Sequence, residues 1–260
     1  EEAHPDTQTF FASWLSDEAN GANRLKRDVP LLVVLGNPPY FSESMNKGWW
    51  IMSLMEDYKK EPGSQQKLNE RNPKWLNDDY VKFIRMAQFQ IEKQGEGVLA
   101  YINPHGFLDN PTFRGMRWRL LKTFNKIYTI DLHGNSKKRE VAPDGSIDQN
   151  VFQIMQGVSI NIFIKTKNMN TEFAQVFHAD LFGKRKEKFD FLNLHSLKNI
   201  QWAELKPVSP NYYFKLPFDS EKQCNYENGF SVIDLFVEHS MGITTGKDVK
   251  FIQFNVKKFP

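Results

Sequence analysis

Four consecutive residues, Asn37-Pro38-Pro39-Tyr40, combine a side-chain amide, two prolines and an aromatic ring directly after an apolar run. Proline lacks a backbone N–H and restricts the residue before it, so the tetrapeptide cannot continue a β-strand. It presents an amide oxygen, rigidly held carbonyls and a ring face, which can accept hydrogen bonds from a planar polar ligand and stack on it. The alternative interpretation is a rigid turn that only ends the strand.

The apolar run before the tetrapeptide, Leu31–Gly36, is short, bounded by breakers, and predicts a buried strand of a parallel sheet. In open α/β sheets ligands bind at the carboxyl ends of such strands. Downstream, helical periodicity and short apolar runs alternate, which predicts helices at 80–94 and 112–124 and strands at 98–102, 126–132 and 157–167. The last strand follows its neighbour without a helix, which indicates antiparallel pairing. The sequence therefore predicts an α/β sheet with an antiparallel edge strand or insertion.

Residues beyond 168 show a different pattern. Residues 173–182 and 188–194 are predicted to form a hairpin around Gly183-Lys184-Arg185-Lys186. A connector rich in proline and aromatic residues follows, and a domain boundary is predicted near residue 228.

At the end of a strand, Asn37-Pro38-Pro39-Tyr40 resembles the catalytic motif of S-adenosyl-L-methionine-dependent amino-methyltransferases. In motif order the chain resembles the gamma group of DNA adenine-N6 methyltransferases. This resemblance implies a Rossmann-like methyltransferase sheet, S-adenosyl-L-methionine as cofactor and double-stranded DNA as partner. It implies that the Asn37 oxygen and the Pro38 carbonyl accept hydrogen bonds from adenine N6, while Pro38 and Pro39 fix the backbone. Tyr40 would then stack on an adenine taken out of the helix.

A second part of the resemblance is Gln149-Asn150-Val151-Phe152, followed by the last predicted strand. In the same enzymes, an aromatic residue just before this strand contacts the opposite side of the flipped base. Phe152 occupies the matching position. The alternative is that Phe152 is an ordinary core residue.

Basic residues in the loop after residue 132 are candidates for DNA phosphate contacts. Lys137-Lys138-Arg139 lies in a loop predicted to face the same sheet edge as the tetrapeptide. A solvated, purely structural loop explains the same residues equally well, and the Lys184-Arg185-Lys186 run is a weaker candidate. His105 is interpreted as part of the wall of the site and not as a general base.

Composition sets limits on partners and compartment. The 260 residues carry 34 Lys and Arg against 31 Asp and Glu, a net charge of +3, so any DNA contact must be a local patch. Cys224 is the only cysteine, which excludes an intramolecular disulfide and a multi-cysteine zinc cage, and no metal site is predicted. A cytoplasmic location is predicted.

The organisation predicted for the chain is that of a fragment. Methyltransferases of this type have a glycine-rich cofactor loop after their first strand, but Gly21 is the only glycine before Leu31. We therefore expect the cofactor half to lie before Glu1, residues 1–228 to be a partial catalytic domain, and 229–260 to begin a target-recognition region. The closest resemblance is to the methyltransferase portion of Type IIG and Type ISP restriction-modification enzymes, with further domains in the same polypeptide.

Two alternatives to an adenine methyltransferase remain open at this stage. Protein-glutamine N5 methyltransferases use the same tetrapeptide on an amide nitrogen. A DNA-binding or interaction module derived from a methyltransferase would need no cofactor loop. The fragment by itself is expected to be inactive.

Overall fold

The computed structural model describes residues 17–21, 24, 32–70, 73–168, 171–216 and 228–229. The chain divides into two units, Glu1–Leu216 and Pro217–Pro260. The predicted target-recognition segment, 229–260, lies outside the described residues except for residue 229. The boundary near residue 228 therefore stays a prediction.

The described part of the first unit is built on a six-stranded sheet with the strand order β1-β2-β4-β3-β5-β6. β2 pairs in parallel with β1, and β3 in parallel with β5. β4 lies antiparallel between β2 and β3, and β6 is antiparallel to β5. The predicted α/β class is confirmed, and the antiparallel strand is an insertion in the middle of the sheet. The strands are β1 Val33–Gly36, β2 Gly97–Pro104, β3 Lys126–Asp131, β4 Val158–Lys165, β5 Gln175–Asp180 and β6 Ala203–Leu205.

The predicted helix after residue 78 is present, with the capping that its sequence indicates. The Asp78 side chain accepts a hydrogen bond from the backbone N–H of Tyr80, and Gly95 ends the helix in the left-handed conformation at φ 83°. The predicted helix at 112–124 is also present, preceded by a short 3-10 turn. In the described residues from 32 onward the helices are α1 Trp49–Met55, α2 Asp79–Gln94, α3 Arg114–Thr123 and α4 Arg185–Leu194.

Short 3-10 turns connect several of these elements and carry some of the residues of the site. Those turns are Glu56–Lys59, Pro73–Asn77, His105–Leu108, Pro111–Phe113 and Ser136–Lys138.

Two hydrophobic clusters pack against the sheet. One contains Leu99 and Tyr101 of β2 together with buried residues of α2 and α3. The other is smaller, with Ile130, Leu132, Val151 and Val158 at its centre and Leu192 of α4 packed against it. Because neighbouring residues of a strand point to opposite faces, alternating apolar residues in β2 and β4 can contact both clusters.

The predicted hairpin beyond residue 168 is wrong in its second half. Residues 173–182 include β5, but residues 188–194 belong to helix α4. The alternation of Phe189 and Phe191 with polar residues suggested a strand, yet both lie on a helix whose buried position is Lys188. Glu187 stabilises the helix start, since its side chain accepts a hydrogen bond from the backbone N–H of Lys184 at 2.8 Å. The contacts of Lys188 are tertiary and leave no periodic signal in the sequence.

No helix among the described residues has the length and apolar character required to cross a membrane.

Candidate active site

The tetrapeptide Asn37-Pro38-Pro39-Tyr40 leaves the sheet at the carboxyl end of β1. Pro38 is buried, Asn37 and Pro39 are exposed, and Tyr40 is half-buried. The Tyr40 hydroxyl lies 2.5 Å from the Asn37 Oδ1 atom and 3.0 Å from the backbone oxygen of Ile102. Ile102 belongs to β2, which pairs with β1, so the tyrosine links the ends of two parallel strands.

Tyr40 is a hydrogen-bond donor in this arrangement. Burial raises the pKa of its phenol above the ordinary value, so the hydroxyl keeps its proton at neutral pH. A carboxamide oxygen has two lone pairs, and the hydroxyl of Tyr40 occupies one direction at Asn37 Oδ1. The exposed Asn37 side chain can therefore still accept a hydrogen bond from an incoming amine.

A cavity of about 480 Å³ opens beside Tyr40. That volume is in the range of small-molecule pockets and exceeds the size of a single nucleobase. Its lining combines aromatic, acidic and basic side chains, among them Tyr40, Trp75, Asp78, His105, Lys137 and Lys138. A planar ligand entering here would meet the Tyr40 ring and two lysines.

Phe152 lies in the loop before β4 and is half-buried. Its ring packs against the smaller hydrophobic cluster, and Tyr40 packs against the same cluster. The backbone N–H of Phe152 donates to Asn150 Oδ1 at 2.8 Å, while Asn150 Nδ2 donates to the carbonyls of Gly134 and Gln156. The structure thus brings the two predicted aromatic residues to one cluster, although they lie 112 positions apart in the chain.

Lys137, Lys138 and Arg139 are exposed at the rim of the site. The first two line the cavity beside Tyr40. Asn135 caps the turn that carries them, since its side-chain oxygen accepts a hydrogen bond from the Lys138 backbone N–H at 3.2 Å. Arg139 has a left-handed backbone with φ 51° and is not among the residues that line the cavity.

Asp131 anchors the wall of the cavity through a buried hydrogen-bond network. Its Oδ1 atom lies 2.8 Å from His105 Nδ1, and its Oδ2 atom accepts a hydrogen bond from Lys215 at 2.7 Å. Burial opposes its ionisation, but the hydrogen bond from His105 and the nearby charges of His133 and Lys215 outweigh burial and hold the pKa of Asp131 well below its usual range. His105, predicted as a wall residue, does line the cavity, and Asp131 orients its ring.

His133 joins two parts of this network. Its ring nitrogens lie 2.7 Å from a Glu140 oxygen and 2.8 Å from an Asp180 oxygen, and the ring stacks on Phe182 at 3.7 Å. Burial lowers the pKa of His133, but the hydrogen bonds to Asp180 and Glu140 more than offset burial and leave the pKa raised. The imidazolium form donates to both carboxylates and fastens the start of the Lys137-Lys138 loop to the end of β5.

One group of side chains among the described residues could in principle ligate a metal ion. Ligating atoms of His105, Asp131 and His133 lie within 4.8 Å of one another. The ammonium group of Lys215 already occupies Asp131 Oδ2, and both nitrogens of His133 face carboxylates. The donor set is thus engaged within the protein, and we assign it no metal.

The sequence did not indicate which residues hold the Phe152 loop. Arg185 donates to the carbonyls of Asn150 and Phe152, and the buried Lys188 pairs with the buried Asp148 at 2.6 Å. The only sequence signal is the basic run at 184–186, which contains Arg185 and by itself also fits a phosphate contact.

Comparisons with known proteins show which family this part of the chain resembles. Residues 32–138 match the Eco57I restriction-modification methylase family. The matched segment includes the tetrapeptide, His105, Asp131 and the two cavity-lining lysines, but ends before Phe152. The predicted resemblance to restriction-modification methyltransferases is confirmed.

Solved structures extend the similarity of fold beyond the matched segment. The chain is similar to the DrdV–DNA complex determined by cryoEM, with 22% identity, a TM-score of 0.64, and coverage of 84% of this chain and 21% of that one. It is also similar to the ATP-dependent Type ISP restriction-modification enzyme LlaBIII bound to DNA, with 24% identity, a TM-score of 0.64, and coverage of 84% and 14%.

A nuclease-deletion mutant of the Type ISP enzyme LlaGI, in complex with a DNA substrate mimic, matches at 22% identity and a TM-score of 0.62, with coverage of 81% and 20%. At these identities the similarity establishes the fold. The 260 residues span about a fifth or less of the length of these three proteins. No curated protein sequence matches the chain.

Proposed function

We propose that this chain is part of a DNA methyltransferase of a restriction-modification system, and that it transfers a methyl group to N6 of an adenine flipped out of the duplex. The observation that carries the proposal is the Tyr40–Asn37 pair at the carboxyl end of β1, beside a cavity with two lysines. The family match over the same residues and the DNA in the three similar structures support it.

Methyl transfer to adenine N6 requires hydrogen-bond acceptors beside the amino group. The lone pair of adenine N6 is delocalised into the ring, and acceptors on its two hydrogens favour a localised lone pair that can attack. Asn37 Oδ1 and the Pro38 carbonyl are the acceptors in our proposal, and because both are fixed before the substrate arrives, they need no reorganisation during reaction. The hydrogen bond from Tyr40 fixes the orientation of the Asn37 amide.

S-adenosyl-L-methionine would supply the methyl group. When bound, the cofactor would donate its methyl group to the N6 lone pair with its sulfur as the leaving group, and the methylated amine would release a proton to water. Because the Asn37 side chain is exposed, a methyl donor can reach an amine that is hydrogen-bonded to it. The described residues provide the acceptor side of the reaction, and we place the glycine-rich cofactor loop outside the 260 residues.

The flipped base is proposed to lie between Tyr40 and Phe152. Stacking on an aromatic ring contributes about 1–3 kcal/mol per base, which offsets part of the cost of removing the base from the duplex. Lys137, Lys138 and Arg139 are proposed to contact phosphates near the target nucleotide. The remaining candidate activity, methylation of a glutamine amide, uses the same acceptors and is an outcome of the test below.

The test is methyl transfer by the full-length polypeptide, with labelled S-adenosyl-L-methionine and either duplex DNA or a glutamine-containing protein acceptor. We expect label in N6-methyladenine after digestion of the DNA to nucleosides. Asn37→Ala should lower the rate by at least about 100-fold, as the loss of a preorganised hydrogen-bonding group does in other enzymes. Asn193→Ala, at an exposed position of α4, is the matched control and should retain the wild-type rate. Label only in the protein acceptor, or an Asn37→Ala variant as fast as wild type, would contradict the proposal.

A further inference from the structure

Phe152 is not held by regular secondary structure. Residues 150–157 form neither helix nor strand, so no ladder of backbone hydrogen bonds fixes the position of the ring. A stacking surface for a flipped base has to be rigid, because each ångström of misplacement reduces the contact that offsets unstacking. Other side chains must therefore fix this loop.

Arg185, the first residue of α4, binds the loop through two carbonyl groups. Its Nε atom donates to the Asn150 carbonyl at 2.8 Å, and its Nη2 atom donates to the Phe152 carbonyl at 2.9 Å. These nitrogens lie on one edge of a planar guanidinium group, so they fix the two carbonyls relative to each other. Within the described residues Arg185 makes no ion pair, and its side chain donates hydrogen bonds to the loop backbone.

The helix that carries Arg185 is itself locked to the sheet. One turn further on, Lys188 donates to the carbonyls of Leu132 and Gln149, each at 2.7 Å, and pairs with Asp148. Both charged side chains of that pair are fully buried. Asp148 in turn accepts backbone hydrogen bonds from Gly134 at 2.6 Å and from Gly183 at 2.9 Å. The guanidinium of Arg185 is thus attached to a rigid support.

We propose that Arg185 is a positioning residue for the target base, which acts by holding Phe152 in the orientation that stacks on the extruded adenine. The inference rests on the proposed function, because it gives Phe152 the base-stacking role. Lysine carries the same charge but cannot donate to two carbonyls from one rigid edge. Arg185→Lys should therefore be almost as defective as Arg185→Met, whereas a simple phosphate contact would tolerate lysine.

The experiment compares Arg185→Met, Arg185→Lys and Phe152→Ala in the full-length polypeptide, with Lys93→Met, at an exposed position of α2, as the control. Genomic DNA methylated by the wild type first gives the target sequence. Base extrusion is then measured by the fluorescence of 2-aminopurine at the target position, and methyl transfer by single-turnover kinetics. Methyl transfer is also measured on a duplex with a mismatch opposite the target base, where extruding the base costs less free energy.

We expect both Arg185 variants and Phe152→Ala to lose most of the 2-aminopurine signal and to transfer methyl about 10-fold more slowly on the matched duplex, with recovery on the mismatched duplex. Lys93→Met should match the wild type. Wild-type fluorescence in both Arg185 variants would overturn the inference, and so would equal losses of the methyl-transfer rate on the matched and mismatched duplexes.

The proposed function and the inference can fail separately. If the wild type transfers no methyl group to adenine, the proposed function fails and the inference fails with it. If the wild type is active and the Arg185 variants are unaffected, only the inference is refuted. Should Arg185→Met not fold, Arg185→Lys decides the outcome.

Discussion

The hydroxyl of Tyr40 lies 2.5 Å from Oδ1 of Asn37, three residues earlier in the same tetrapeptide. The same hydroxyl lies 3.0 Å from the carbonyl oxygen of Ile102 in the neighbouring strand. Tyr40 can therefore do two separate things: its hydroxyl orients the proposed acceptor, and its ring offers a stacking face. Two substitutions separate these contributions.

Tyr40→Phe removes the hydroxyl and keeps the ring. A hydrogen bond contributes about 0.5–1.5 kcal/mol net, so we expect the rate of methyl transfer to fall by about 3- to 10-fold with little change in DNA affinity. Tyr40→Ala also removes the stacking face and should lower the rate by a further 10-fold or more. Single-turnover kinetics on both variants check this order. A Tyr40→Phe variant as slow as Tyr40→Ala would show that the ring itself contributes little.

His133 predicts a pH dependence of stability. The pKa of His133 is raised from its ordinary value of 6.5 in the folded protein. A raised pKa means that its contribution to stability is fully present below about pH 6.5 and is lost as the pH rises through the folded-state pKa. Glu140 and Asp180, which face it, have lowered pKa values, so their contributions are lost at the acid end instead.

The measurement is the difference in thermal unfolding temperature between wild type and His133→Gln from about pH 5.5 to 9. We expect the wild type to unfold at a higher temperature than His133→Gln at the acid end of this range, and we expect this difference to shrink as the pH rises. A difference that stays constant with pH would mean that His133 does not bridge the carboxylates as an imidazolium.

Lys137 and Lys138 predict the salt dependence of DNA binding. Each phosphate contact contributes about one unit to the slope of log affinity against log salt concentration. Lys137→Ala combined with Lys138→Ala should therefore reduce the slope by about 2 and weaken binding to all sequences alike. Lys93→Ala is a control from an exposed position of α2 outside the cavity lining. An unchanged slope in the double variant would assign the two lysines to a solvated loop.

Much of the fold could be predicted because its signals are local. The strand before Asn37 follows from a short apolar run with prolines after it, and helix α2 has Asp78 at its start and Gly95 at its end. The predicted burial of that strand is wrong, because Val33 and Leu35 are exposed in the described part of the structure. The position of Phe152 before β4 likewise follows from chain order. The prediction failed at Phe189 and Phe191, where the two-residue alternation of a strand lies on a helix, because tertiary contacts outweigh a short periodic pattern.

The sequence by itself determined the chemical identity of the candidate site. Asn37, Pro38, Pro39 and Tyr40 are consecutive, and the rigidity of the prolines makes their geometry a property of the tetrapeptide. Only the tertiary structure decided what surrounds them. Asp131 is hydrogen-bonded to His105 and to Lys215, and Arg185 donates a hydrogen bond to the carbonyl of Phe152. These partners lie 26, 84 and 33 positions apart in the chain. Hydrogen bonds over such separations depend on the tertiary fold, because the packed sheet supplies the low-dielectric surroundings and the fixed distances that they need.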